Sequence, residues 1–395
     1  MTPRAVPVGL AVLLGALSML SPFSIDTFFP SFRAMQAEFG IGPLEMQQSL
    51  TAYLLPFAVL SLVHGPLSDA LGRRPVVLWG IGIYSLASLA CVFSPSYTTL
   101  LLFRAAQGMT AGVGMAVGRA VIRDRFDGVE AQRLMSAVTM VFSVAPAIAP
   151  IVGGWIHVLA GWRAVFAFLA LFGAVLWFAG FKLLTESHPP ARRVPLVASA
   201  LALTSWRIFR DARFLPLAVA AGLSFSAALV YVGSAPALVL DHWGLSETGF
   251  AALFVPIVSG FMLGAALSGR LAGRWPPARQ VVVGFATSAC AAAIGIALQL
   301  PGDAAPRLAE QLVIAAISLG VQLAFPPITL RMLDLFAQTR GAVASVQSFV
   351  GLTIGATTIG VVAPLLRGSL LALSLASLLA SLTAAALWGI STRRR

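Results

Sequence analysis

Two ionisable residues stand where the surrounding sequence is almost wholly apolar. Asp26 is the one acidic residue clearly inside a long apolar run, and Arg104 lies inside another. At 1.5 Å of rise per residue, Asp26 falls roughly 6 Å and Arg104 roughly 10 Å inside the outer ends of their runs. A charge at membrane depth costs a few kcal/mol or more and by default marks a function. The chemistry open to a carboxyl group there is proton exchange. Loss of water and the approach of a guanidinium act in opposite senses on a carboxyl group's proton affinity. Moving Arg104, or bringing a cationic compound close, therefore changes how tightly Asp26 holds a proton. Linkage requires the proton to change the compound's affinity by the same factor, which is enough to exchange one for the other. Asp26 and Arg104 are the candidate proton-coupling pair. A plainer reading has Asp26 pinning the end of its helix while Arg104 snorkels to the outer interface. Gln107, one turn from Arg104 on the same helical face, either hydrogen-bonds a ligand, orients Asp26 or serves only helix packing.

The elements that carry these residues follow from composition. The 395 residues are 58% hydrophobic and 10% charged, with 25 Phe and 8 Trp. Soluble domains are about a quarter charged, and this much apolar surface excludes disorder. Cys91 and Cys290 alone make no disulfide framework, and His64, His157, His188 and His242 show no metal-ligand spacing. A β-barrel would alternate apolar and polar residues over about ten positions. The net charge of +12 comes from arginines set between apolar runs, with Lys182 the only lysine, which does not make a nucleic-acid face.

Twelve windows reach the roughly twenty apolar residues that a membrane helix needs: 8–30, 46–67, 76–93, 97–121, 135–159, 164–184, 214–240, 250–267, 281–300, 312–330, 342–366 and 370–390. The first is too long for a signal-peptide core and is expected to be retained. With both termini inside, 21 of the 26 basic residues face the cytoplasm, and only Arg33, Arg163, Arg307 and Arg367 lie outside. That imbalance predicts the orientation. The longest connection splits the chain into a six-helix bundle over 1–184, a cytoplasmic linker over 185–212 and a second bundle over 213–395. Trp206–Arg210 in the linker suits the inner interface. Gly65–Ala70 after span two and Gly269–Arg274 after span eight echo one another, as paired halves of a transporter would.

Gly65-Pro66-Leu67-Ser68-Asp69-Ala70-Leu71-Gly72-Arg73-Arg74 closely resembles the cytoplasmic-loop signature of the major facilitator superfamily. Ser24-Ile25-Asp26-Thr27-Phe28-Phe29-Pro30 resembles span one of its Bcr/CflA drug-resistance branch, and Arg104-Ala105-Ala106-Gln107-Gly108 is similar to the superfamily's span-four motif. Ala145–Trp155, with Pro146, Ala149, Pro150, Gly153 and Gly154, resembles the span-five motif of antiporters; Arg213-Phe214-Leu215 and Ser234-Ala235-Pro236 resemble span seven of the same branch. Ala70 departs from the loop signature, which usually has a basic residue there, and Ala149 from the span-five motif, which usually has glycine. The resemblance implies an all-α membrane protein of two pseudo-symmetric six-helix bundles, with spans one and four lining a central cavity that Asp26 and Arg104 could share. It also implies a monomer.

On that reading the loop signature is a gate. Gly65 and Gly72 permit close approach and a tight turn. Asp69 could face the positively polarised start of span eleven near Gly341–Ala342, and Arg73 could pair with Asp124. Arg73 and Arg74 also serve as topology charges. Pro146, Pro150, Gly153 and Gly154 read either as a bend that seals the pathway against leak or as ordinary tight packing. Tyr53, Phe225 and Tyr231 are candidates for an adaptable aromatic wall around a substrate, or else core and lipid-facing positions.

The expected activity is proton-coupled efflux of small amphipathic drugs across a bacterial inner membrane, with both termini cytoplasmic and no cofactor. Export of a metabolite such as a sugar or amino-acid derivative is the alternative. No nucleotide-binding motif, nucleophile motif or paired catalytic carboxylates are present, so neither an ATP-driven pump nor an enzyme is expected. A receptor or scaffold would want a soluble domain, and the longest connection has only about 28 residues.

Overall fold

The structure is a computed structural model, which describes residues 8–126, 128–300, 306–336 and 338–393. Arg4, Arg394 and Arg395 of the basic set lie outside the described residues. In chain order the helices are α1 (Val8–Asp26), α2 (Phe32–Phe39), α3 (Pro43–Ser61), α4 (His64–Leu71), α5 (Arg73–Val92), α6 (Tyr97–Ala111), α7 (Val113–Arg125) and α8 (Gly128–Leu183). They continue as α9 (Ala198–Phe209), α10 (Phe214–Gly233), α11 (Ala251–Leu271), α12 (Pro277–Gln299), α13 (Arg307–Leu335), α14 (Arg340–Thr357), α15 (Ala363–Leu366) and α16 (Leu370–Arg393). Ten of the described helices, or helices run together, are long and apolar enough to cross a membrane, and α3 with α4, bent by 52°, makes an eleventh. α8 has 56 residues and is broken at Gly161, whose φ of 78° suits glycine alone. At 1.5 Å per residue it would be about twice as long as a bilayer is thick, so it is two crossings. The described residues thus hold twelve membrane-crossing segments.

Three spans are less regular than their apolar windows imply. Span two divides at Leu62–Val63, between α3 and α4, and span four divides at Gly112, between α6 and α7. α10 ends at Gly233, and after Pro236 the chain continues as a π-helical turn, Ala237–His242. Proline has no amide hydrogen to donate, so the Val232 carbonyl loses its α-helical donor there, although the Leu238 amide still reaches the Ser234 carbonyl at 2.8 Å. The Trp243 amide instead reaches the Leu238 carbonyl, five residues back, at 2.9 Å. A second π-helical turn, Thr358–Val362, follows α14.

The helices cluster into two compact units: residues up to Phe39 with Ala52–Ala202, and Gly40–Thr51 with Leu203–Arg395. In the first unit Leu10, Leu13, Leu14 and Leu17 of α1 share one apolar core with Val77 and Ile81 of α5 and Val117 and Val121 of α7. In the second, serine and threonine tie the helices together. Ser226 meets Thr358 at 2.7 Å, Ser288 meets Ser381 at 2.9 Å, and Ser377 donates to the Ala227 carbonyl at 2.8 Å. Hydroxyls of this kind hold membrane helices together where lipid supplies no hydrophobic drive. Gln47 donates to the Gly233 carbonyl at 2.5 Å and Gln48 to the Gly360 carbonyl at 3.1 Å, which seats the first turns of α3 in the same unit.

The start of α10 is capped from outside the membrane. Asp211 accepts hydrogen bonds from the Arg213 amide at 2.8 Å and the Phe214 amide at 3.3 Å, and pairs with the Arg213 guanidinium at 3.0 Å. The hydrogen bond from the Arg213 side chain, more than the two backbone bonds, holds the Asp211 carboxyl below the usual carboxylate range. Asp211→Ala should lower stability by about 1 kcal/mol at pH 7. Because the folded carboxyl has the lower pKa, this penalty is complete above about pH 4 and fades as pH falls through the folded value. Unfolding of the detergent-solubilised protein at pH 7 and pH 3 measures it; an equal penalty at both would contradict the cap.

Candidate functional site

Arg104 is the largest fully buried side chain among the described residues, at 0% exposure. Its guanidinium carbon sits 4.4 Å from the Phe28 ring centroid and 4.6 Å from that of Tyr53, with Phe166 at 5.9 Å. Such a cation lies on the negative faces of the rings. Its Nη1 donates to Gln107 Oε1 at 2.8 Å, and Gln107 Nε2 donates to Ser88 Oγ at 2.7 Å. Four spans contribute: the turn after α1 brings Phe28, α3 brings Tyr53, α6 brings Arg104 and Gln107, and α5 brings Ser88. The guanidinium is thus enclosed and does not snorkel.

Asp26 is the last residue of α1 and is 5% exposed. No hydrogen bond or ion pair reaches its carboxyl group among the described residues. It stands two residues before Phe28, whose ring lies on Arg104. Two residues before it, Ser24 meets the Tyr84 hydroxyl at 2.5 Å. The wall beside it comes from α8. Ala149 is fully buried, and a methyl group on Gly153 would collide with the carbonyl of Thr27, next to Asp26. Pro150 and Gly154 are buried on the same helix, and Pro146 is half-buried. Arg104, Gln107 and Tyr53 therefore form one buried cluster within the first unit, and Asp26 is buried two residues before Phe28, which belongs to it.

Phe225 and Tyr231 belong to the second unit and sit apart from one another. Phe225 packs on Phe325 and Phe261, with centroids at 4.9 and 5.5 Å, while the Tyr231 hydroxyl meets Ser374 at 3.2 Å. Tyr231 lines a small cleft that also holds Ser374, Gln299 and Glu310.

The loop signature forms a second cluster in the first unit. Arg73 pairs with Asp69 at 2.5 Å and Asp124 at 3.0 Å, and donates to Ser68 Oγ at 2.6 Å. Gly72, with φ of 102°, makes the turn from α4 into α5. A methyl group on Gly65 would meet nothing within 4 Å, so packing does not require glycine there. Arg74 donates to the carbonyls of Leu184 at 2.8 Å and Phe181 at 3.0 Å.

Three further residues carry weight that their sequence context does not announce. Glu186 in the linker accepts from the amides of Arg73 at 3.0 Å and Arg74 at 3.3 Å, filling the exposed start of α5. Glu310 is buried in the first turn of α13, where it accepts from Trp243 at 2.5 Å and Gln299 at 3.0 Å. It precedes the apolar window at 312, because the helix begins before that window does. His64 donates to the Met109 carbonyl at 2.9 Å. Its one visible signal was a histidine standing inside an apolar stretch.

Residues 14–360 match the family profile described as Major Facilitator Superfamily. The chain belongs to the Major Facilitator Superfamily. Among its relatives, an uncharacterized MFS-type transporter of Bacillus subtilis is 35% identical over 264 residues, covering 65% of this chain and 66% of that protein. A bicyclomycin resistance protein homolog of Haemophilus influenzae is 29% identical over 61% of each chain. Multidrug resistance protein D of Escherichia coli is 29% identical over 67% of this chain and 66% of its own. The chain thus matches just under two thirds of the length of these relatives. A crystal structure of a bacterial homolog of the human lysosomal transporter Spinster shares the fold, with a TM-score of 0.74 and 16% identity, covering 100% of this chain and 98% of that one. The segments that resemble family motifs, in spans one, four and five and in the loop between spans two and three, all fall in the first unit.

Glycine placement around the Arg104 cluster can be tested by stability. A methyl group on Gly108 would collide with the Tyr53 carbonyl, whereas one on Gly118, in α7, would make an ordinary 3.5 Å contact with Leu14. Gly108→Ala should destabilise by about 1–3 kcal/mol, while Gly118→Ala should be neutral or slightly stabilising. Melting temperatures of the two purified variants decide; equal shifts would show that the span-two contact does not matter.

Proposed function

We propose that this protein exports small amphipathic compounds, antibiotics among them, across a bacterial inner membrane in exchange for protons. Both termini are cytoplasmic, the chain acts as a monomer, and the two bundles, 1–184 and 213–395, are joined by the linker 185–212. The observation that carries the reading is Asp26, a buried carboxyl group free of donors, two residues before the Phe28 ring that lies on a buried guanidinium. Such a carboxyl group responds strongly to any polar group that approaches it, because little else solvates it. A cationic or polar compound entering beside Tyr53 changes the proton affinity of Asp26, and the bound proton changes the compound's affinity equally. Gln107 and Tyr53 provide hydrogen bonding and an aromatic face for the compound, and Phe225 and Tyr231 are further candidate contacts. The Asp69–Arg73–Asp124 cluster acts as the inner gate, and Pro146, Ala149, Pro150, Gly153 and Gly154 limit leak beside Asp26.

The relatives named for bicyclomycin and multidrug resistance supply the compounds to try first. In everted vesicles with an imposed pH gradient, adding chloramphenicol, bicyclomycin or ethidium should dequench acridine orange. Asp26→Asn should abolish that signal, while Asp26→Glu should retain part of it. Compound-driven proton release that persists unchanged in Asp26→Asn would remove Asp26 from the mechanism.

A further inference from the structure

Spans two and four are each broken within the first unit, and one side chain joins the breaks. In span two, α3 gives way to α4 through two short turns, Leu62 amide to Val59 carbonyl at 3.2 Å and Val63 amide to Leu60 carbonyl at 2.9 Å, with the 52° bend between them. In span four, α6 ends when the Gly112 amide turns back to the Thr110 carbonyl. An unbroken helix would fill the Met109 carbonyl from the Val113 amide, four residues on. Here the Met109 carbonyl accepts from His64 Nε2 at 2.9 Å. A carbonyl only accepts, so Nε2 carries the hydrogen, and in the neutral ring Nδ1 is a bare acceptor. His64 is 2% exposed, and Nδ1 is buried without a partner. The fit is close: a methyl group on Gly112 would lie 3.0 Å from Nδ1 and 2.5 Å from the Phe57 ring.

α4 is therefore a short rigid piece, held at both ends. His64 ties its first turn to the break in span four, and Ser68 and Asp69 tie its last turn to Arg73, which reaches on to Asp124 at the end of α7. A swing of α4 about Leu62–Val63 must give up the first tie together with the second. We propose that His64 is a positioning residue, a clasp that couples the hinge of span two to the break in span four, so that the inner gate releases both half-spans as one. This deepens the gating role proposed above and rests on it only for the transport measurement.

The test uses the full-length protein in detergent, with His64→Leu, His64→Asn, His64→Gln and Gly112→Ala. Glutamine places its amide nitrogen about where Nε2 sits, and asparagine about where Nδ1 sits. Amide hydrogen exchange should rise roughly five- to tenfold in residues 62–71 and 109–116 together for the leucine and asparagine variants, the effect of one net hydrogen bond. Gly112→Ala should do the same, and His64→Gln should stay near wild type. In ethidium efflux, the asparagine variant should change the maximal rate with little change in KM, and glutamine should rescue it. Exchange that rises in only one segment, or equally in the glutamine and asparagine variants, or in neither, overturns the clasp. The glutamine–asparagine comparison stands even if the leucine variant does not fold. Exchange needs no transport, so the coupled exchange pattern in a protein that moves no ethidium would count against the export reading and leave the clasp standing.

Discussion

A guanidinium enclosed away from water sets the terms for the whole first unit. Arg104 cannot lose its charge at any accessible pH, so the surrounding helices must accommodate it. They do so with the faces of Phe28 and Tyr53 and with the amide oxygen of Gln107, itself held by Ser88. Each partner comes from a different span, so each span's depth and rotation are constrained by the same cation. Tyr53 can reach it only because Gly108 lets the backbone of α3 come against α6, and the chain after Asp26 is braced by the close contact of Gly153 with Thr27. The carboxyl group of Asp26, two residues before Phe28, lies outside these hydrogen bonds.

The end of the same unit that carries the loop signature is built differently. There the charges are paired and partly exposed: Asp69 has 46% of its side chain in the open, while Arg73 has 8%. The linker is part of this arrangement. Glu186 fills the first amides of α5, Ser187 donates to Asp124 at 3.0 Å, and the Val194 amide reaches the Asp69 carbonyl at 3.3 Å. A segment that looks like a tether is thus stitched to the loop signature at several points. Any motion of that loop must loosen the linker or carry it along.

Most of the fold was legible because membrane helices are written as long apolar windows, and the lipid leaves few other ways to satisfy the backbone. The positions of Asp26, Arg104, Gln107 and Asp124 within their spans were equally legible, since charges and amides stand out against that background. Of the two breaks, that at Leu62–Val63 carries a signal, since Pro66 cannot donate to the Leu62 carbonyl four residues back, whereas no proline marks the break at Gly112. Glu186 was hidden for the opposite reason: in a polar linker one more acid carries no contrast. Glu310 fell outside its window because the apolar run starts later than the helix. Tyr53 and Phe225 looked alike as aromatic residues in apolar runs, and only packing shows one on a cation and the other among phenylalanines.

The π-helical turns at Ala237–His242 and Thr358–Val362 give the second unit a place where chain length and helical phase are uncoupled. Such a turn holds about one residue more than an α-turn. Elsewhere in a span, adding or removing a residue rotates everything beyond it by about 100°, which would carry Phe225 or Tyr231 to another face. At these two bulges a one-residue change in length can be taken up locally, with the buried faces on either side left in phase. An inserted or deleted residue should therefore cost spans seven and eleven less at these turns than in the regular helix on either side.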